Sequence, residues 1–143
     1  MEDQRLLRVE IDSLAGVAVV KAHGEVDLTT APDLAEAIDK AMASAPTILV
    51  VDLSGVGFLA SVGMSALIKA RREMGSATTM ALVADGPATR RPMELVGLDA
   101  AIPLYSDLAS ALASVGGAAS VLPLPTARMD RDTDENDAEE GIA

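Results

Sequence analysis

Ser61 is the residue of this chain best placed to carry chemistry. It stands where a glycine-punctuated stretch, Ser54-Gly55-Val56-Gly57-Phe58-Leu59-Ala60, gives way to a helical pattern, so it is expected at a helix N-terminus. There its hydroxyl is suited to cap the helix by accepting from the Met64 amide, a contribution of about 1 kcal/mol. The other role open to it is modification. A phosphoserine would sit at the positive end of the helix dipole and add ~2 negative charges to the surface a partner meets. The two roles are compatible. A nucleophile is disfavoured: Leu59-Ala60-Ser61-Val62-Gly63 lacks the first glycine of the hydrolase elbow Gly-x-Ser-x-Gly, and the sole histidine, His23, precedes the serine where that arrangement places it last.

The remaining candidates read more plainly. Gly55, Gly57 and Gly63 fit neither the dinucleotide fingerprint nor the P-loop, and no lysine follows, so they are read as turns and close helix–sheet packing. Glu25 and Asp27 flank Val26 as solvated loop acids at a strand end, where the loops of a parallel sheet gather. Asp52 suits a turn-forming acceptor and His23 an ordinary strand-end hydrogen bond. Arg90-Arg91 reads as a solvated pair. Phe58 and Leu59 are apolar residues in a loop, either anchored in the core or offered to a partner, and the sequence leaves both open. With no cysteine and one histidine, thiol chemistry, disulfides and Cys-ligated metals are excluded, and no metal or cofactor is expected.

Composition narrows the class. Half of the 143 residues are apolar, yet there is one Phe, one Tyr and no Trp, so the core must be aliphatic. The net charge of -11 argues against nucleic-acid or anionic-membrane partners. Residues 128–143 hold seven acids and two arginines, so they are expected to be a disordered acidic tail, although the rest is acidic as well. No run approaches the ~20 apolar residues of a membrane span, and no apolar segment follows the polar N-terminus. A soluble, cytoplasmic protein is expected, with one domain over residues 1–117 and an extended or disordered tail over 118–143.

The elements that must position Ser61 follow from periodicity. Leu7, Val9 and Ile11 alternate with Arg8, Glu10 and Asp12, the pattern of a strand with one wet face. A turn at Ala15-Gly16 leads to a second strand over residues 17–22, ending at His23-Gly24. Thr30, Pro32 and Asp33 mark the start of a helix with Leu34, Ala35, Ile38 and Met42 on one face. The unbroken apolar run over residues 47–53 reads as a strand buried on both faces. A helix over 62–74 follows, its polar stripe formed by Ser61, Ser65, Lys69 and Arg72. Then come a strand over 79–84, a short helix from Pro92 to Val96 with Gly97 as C-cap, a short strand over 101–105, and a helix capped by Ser106 with Leu108, Leu112 and Val115 inward, ended by Gly116-Gly117. Strand–helix alternation after a hairpin predicts a single α/β domain: a mixed sheet covered by about four helices.

Two segments carry a resemblance. Asp52-Leu53-Ser54-Gly55-Val56-Gly57-Phe58-Leu59-Ala60-Ser61-Val62-Gly63-Met64 resembles the signature of the STAS domains of bacterial anti-anti-sigma factors (anti-sigma factor antagonists): Asp-Leu-Ser, a short loop with an aromatic, then Asp-Ser-Ser-Gly-Leu-Gly opening a helix. Gly24-Glu25-Val26-Asp27-Leu28-Thr29-Thr30-Ala31-Pro32 is similar to the family's Gly-Glu-Leu-Asp segment. The resemblance covers residues 6–115. It implies a STAS-like fold and a regulator of transcription in stress responses with no catalysis of its own. The unphosphorylated form would bind an anti-sigma factor, a GHKL-type serine kinase, and so release a sigma factor. Phosphorylation by that kinase would end binding, and a PP2C-type phosphatase would restore it. Matched by position, Ser61 is the phosphoacceptor. The partner surface would be Phe58, Leu59, Ala60, Ser61, Val62, Gly63 and Met64, with Glu25, Asp27 and Thr29 nearby. Ala60 stands where the family has an acid, Val62 where it has a second serine, and Ser65, a weaker alternative acceptor, where it has a glycine. The competing reading is a STAS-type module that senses a small ligand or nucleotide, with Ser61 only a cap.

Overall fold

Residues 48–53 are all buried, Asp52 included. Successive side chains of a strand point to opposite faces, so burial at every position requires cover on both. A computed structural model describes residues 7–119, and in it this run is the first half of strand β3 (Ile48–Leu59), the middle strand of a five-stranded sheet. The other elements are β1 (Leu7–Leu14), β2 (Val17–Val26), helix α1 (Ala31–Met42), α2 (Ser61–Met74), β4 (Thr79–Val83), α3 (Arg90–Leu95), a 3-10 turn (Leu98–Ala100), β5 (Leu104–Tyr105) and α4 (Leu108–Ala119).

The strands lie in chain order, β1 antiparallel to β2 and every later pair parallel. This is the mixed α/β sheet with four helices that the sequence predicts. The hairpin closes through Ala15 and Gly16, both at positive φ (53° and 84°), the two-residue turn whose twist matches that of the strands. In register across the sheet, Ala18, Leu49 and Met80 form one row and Val20, Val51 and Leu82 the next. These rows join Leu34 and Ile38 of α1 and Met64 and Leu67 of α2 in one aliphatic core. The opposite face is buried as well, through Val19, Val50, Ala81 and Val83.

Several boundaries differ from those read in the sequence. β2 continues four residues past Ala22 and β3 six past Leu53, so the expected loop before Ser61 is paired strand. No turn occurs at Ser54-Gly55. Instead, β3 carries extra residues against β2 at two register shifts, between Lys21 and His23 and between Gly24 and Glu25. Such bulges absorb glycine and polar residues that otherwise read as a turn. α3 begins at Arg90, two residues before Pro92, which lies early enough for its missing N–H to interrupt no helical bond. α4 is capped by Asp107, whose carboxylate accepts from the Ser110 amide at 2.7 Å, whereas Ser106 accepts from Arg90 at 3.4 Å. α4 also runs through Gly116-Gly117 to Ala119. The chain divides into two units, residues 1–111 and 112–143, and the described part of the second is the continuation of α4. The tail expected over residues 118–143 falls, but for its first two residues, outside the described residues.

Candidate functional site

The two segments singled out in the sequence meet at the C-terminal ends of β2 and β3. Glu25 pairs with Phe58 and Val26 with Leu59, and the Ala60 amide donates to the Val26 carbonyl at 2.8 Å. Strand pairing thus persists to the residue before α2. The first bulge is held by Asp52, whose Oδ1 accepts from the Ser54 amide at 2.9 Å and the Ser54 hydroxyl at 2.6 Å. It is an acceptor, as expected, but for a bulge where the ladder leaves an amide without a partner. Within it β2 crowds Gly55, whose Cβ, were there one, would stand 2.4 Å from the ring nitrogen His23 Nδ1 and 3.0 Å from the Ala22 carbonyl.

The segment between β2 and α1 folds on itself. Asp27 Oδ1 accepts the amides of Thr29 and Thr30, each at 3.0 Å. The Thr30 hydroxyl donates to the Glu25 carbonyl at 2.7 Å and accepts the Asp27 amide at 2.9 Å. Thr30 occupies the N-cap position of α1, yet its side chain makes no cap bond and is 2 % exposed, turned back into this network. Asp27 is therefore half-buried with Oδ1 engaged inside the turn, where the sequence reads a solvated loop acid. The Thr30 amide, above all, holds its carboxyl below the ordinary value. Partial desolvation opposes this, and the Thr30 hydroxyl and Thr29 amide add to the lowering. A carboxyl depressed in the fold stabilises it fully above its unfolded value of about 3.9, and that contribution is lost as pH falls through the folded value. Asp27→Asn should therefore lower the melting temperature at pH 7, with the gap to wild type closing as the pH is taken below about 3.9. Thermal melts across that range check this, and a gap indifferent to pH would remove the charge from the account.

Ser61 is the first residue of α2, not its cap. Ala60 holds the N-cap position in extended conformation (φ -78°, ψ 162°), and its carbonyl accepts from Gly63 at 2.9 Å and Met64 at 3.3 Å. The Ser61 hydroxyl caps nothing. It is exposed and makes no hydrogen bond among the described residues. Its neighbours divide into two kinds. Phe58, at 49 %, faces solvent with Glu25 and Thr29, and Ala60 and Val62 are half-buried. Leu59, Gly63 and Met64 are buried and support the others. The choice left open for Phe58 and Leu59 resolves by parity: adjacent strand residues point to opposite faces, so one is offered and the other anchored.

Leu28 and Thr30 lie on the 25–30 loop that the resemblance puts near the partner surface, though neither is singled out in the sequence as a contact. Leu28 is 78 % exposed on the Asp27–Thr30 turn and borders a shallow groove of about 330 Å³ with Pro32, Val62 and Lys69. An apolar residue in a polar loop was the available signal. For Thr30, whose value lies in a backward-facing hydroxyl, the helix-start pattern pointed elsewhere. Among the described residues no group of three or more His, Asp or Glu side chains is placed to hold a metal ion, and no helix is long and apolar enough to cross a membrane.

Comparison with known proteins agrees with this geometry. The chain is 47% identical over 102 residues to the anti-sigma-F factor antagonist RsfB of Mycobacterium tuberculosis, covering 71% of this chain and 84% of that protein. It superposes on the crystal structure of an anti-sigma factor antagonist from Mycobacterium paratuberculosis with a TM-score of 0.75 at 43% identity, covering 80% of this chain and 98% of the other. The unphosphorylated form of the anti-sigma factor antagonist SpoIIAA shares the fold at 19% identity, with a TM-score of 0.65 over 77% of this chain and 97% of its own. The model of the STAS domain matches residues 8–111, and the chain belongs to that family.

Proposed function

We propose that the chain is an anti-sigma factor antagonist whose surface around Ser61 binds an anti-sigma factor of the GHKL serine-kinase type and so frees a sigma factor. The observation that carries this is Ser61 itself: an exposed hydroxyl, without a partner among the described residues, on the first residue of α2 and close in sequence to the exposed ring of Phe58. The 47% identity to RsfB supports an anti-sigma factor as the partner class. The same kinase would phosphorylate Ser61, and a PP2C-type phosphatase would reverse it. No step requires a cofactor or catalysis by this chain, and such partners place it in the cytoplasm. The binding module would be residues 1–117, with the acidic residues 118–143 outside it.

A phosphate at Ser61 sits at the positive end of α2, beside the Ser61 and Val62 amides, which Val26 and Ala60 leave unused, so the fold tolerates it. The interface does not, because its ~2 negative charges would be desolvated against a partner in a chain of net charge -11. The test is binding to purified anti-sigma kinases from the same genome, with and without ATP. Wild type should bind and lose about a hundredfold or more in affinity once phosphorylated, in line with a few kcal/mol at a desolvated interface. Ser61→Ala should bind in both conditions and Ser61→Glu in neither. Equal binding by all three, with no phosphate incorporated, would return the protein to an unswitched binder.

A further inference from the structure

α2 borders a groove of about 720 Å³ that starts at Ser61 and runs along the helix to Arg72 and Glu73. Its floor is apolar, with Met64 and Leu98 buried and Ile68 half-buried. Its far wall is Val96, which stands 64 % exposed on the turn between α3 and the 3-10 helix. The charges on its near rim are not equivalent. Lys69 is engaged by Glu73 at 3.0 Å, and Arg71 of the same turn donates to the Gly75 carbonyl at 3.1 Å. Arg72 has no ion pair or hydrogen bond among the described residues. Among the described residues its guanidinium is therefore left to a partner, in a basic last turn of α2 on a chain of net charge -11.

We propose that this groove is a second part of the anti-sigma factor's docking surface. Its occupant is a partner segment that lays an apolar side chain against Val96 and Ile68 and brings a carboxylate to Arg72. This rests on the antagonist reading above and deepens it. Charge complementarity selects the occupant. The groove's charged lining is Lys69, Arg72 and Glu73, and with Lys69 and Glu73 paired to each other Arg72 is the charge left to attract an acid, which sets the direction in which the segment lies, acid toward the C-terminal end of α2. A bidentate guanidinium–carboxylate pair gives that end its register. The other end of the groove is Ser61. A segment seated along the groove therefore passes the serine, and a phosphate there confronts it. The 11 positions from Ser61 to Arg72, about 16 Å along the helix, keep the phosphate out of reach of the arginine that would neutralise it.

The experiment measures affinity for whichever purified anti-sigma factor binds the wild-type chain, using full-length Arg72→Glu, Val96→Asp and, at the other end of the sheet, Leu14→Asp. All three side chains are exposed, Leu14 at 81 %. Arg72→Glu and Val96→Asp should each weaken binding about tenfold or more, while Leu14→Asp binds as wild type. Raising salt should shrink the Arg72→Glu defect and leave that of Val96→Asp. Wild-type binding undiminished in both groove variants overturns this proposal and leaves the antagonist reading intact. Failure of wild type to bind any anti-sigma factor overturns that reading and this one together. Two other results would assign the groove differently and also overturn the proposal. One is self-association of wild type abolished by Val96→Asp. The other is a melting shift with ATP or GTP alone that Arg72→Glu removes.

Discussion

Gly63→Val should destabilise the fold by about 3 kcal/mol, the upper end of the cost of forcing extra carbons into a packed site. A Cβ at Gly63 would stand 2.5 Å from Val26 Cγ1 and 2.8 Å from Leu59 Cδ1, both closer than real side chains approach. Val26 is 0 % exposed and Leu59 3 %, so neither has space to withdraw into. Those two residues end β2 and β3, and relief can come only by lifting α2 off the strand ends. Gly63→Ala tests the same contact with one carbon. Its clash is partly offset by the better helix propensity of alanine, worth up to about 1 kcal/mol, so a smaller loss is expected. Urea midpoints for the three proteins decide the matter. If both variants unfold with wild type but fail to bind, Gly63 is a contact residue and not a packing one.

Phe58 and Leu59 should separate cleanly. Leu59→Ala removes a buried leucine beside Gly63 and should cost about 2–5 kcal/mol of stability, through lost transfer energy and the cavity left behind. Phe58→Ala removes a half-exposed ring at a strand end and should leave the melting transition within about 0.5 kcal/mol of wild type. In binding to an anti-sigma factor the order should reverse. An exposed aromatic at the centre of an interface typically carries about 2 kcal/mol or more, near thirtyfold in affinity. Calorimetric melts paired with titration of the same samples check both halves. A Phe58→Ala variant that melts early and binds normally would mean the ring supports the fold and the partner surface lies elsewhere.

Much of this arrangement could be read before any coordinates. The apolar run over residues 47–53 announced a strand buried on both faces, which holds from Ile48, and the stripe of Ser61, Ser65, Lys69 and Arg72 proved exposed along α2. What was not legible has a common cause. Residues 23–26 and 54–59 contain Gly24, Gly55, Gly57, Glu25 and Ser54, which by propensity end strands. Pairing overrides that preference, because the bulges let two irregular segments bond each other, and only the partner strand reveals this. Two cap positions, Ser61 and Ser106, were misread for a related reason, and Thr30 holds its cap position without the cap bond. Ser61, Ser106 and Thr30 all have the side chain of a cap. Yet Ala60 and Asp107 take the first two roles, and the Thr30 hydroxyl is drawn backward by Glu25 and Asp27. Capping depends on where the helix begins to within one residue, a precision that periodicity lacks.

The pairing of β2 and β3 to their last residues bears on how Ser61 can be read by an enzyme. A loop serine can be drawn out and threaded, in extended form, through a kinase's substrate cleft, where flanking side chains supply a linear consensus. Here the ladder ends at Val26–Leu59, the Ala60 amide is tied to Val26, and the helix starts at once, so there is no slack to draw on. Any kinase acting on Ser61 must accept a hydroxyl presented by a folded, unyielding face, and its selectivity must come from tertiary shape. The substitution of Ala60 for the family's acid then alters one feature of a contoured surface, where in a threaded peptide it would remove a letter of the code.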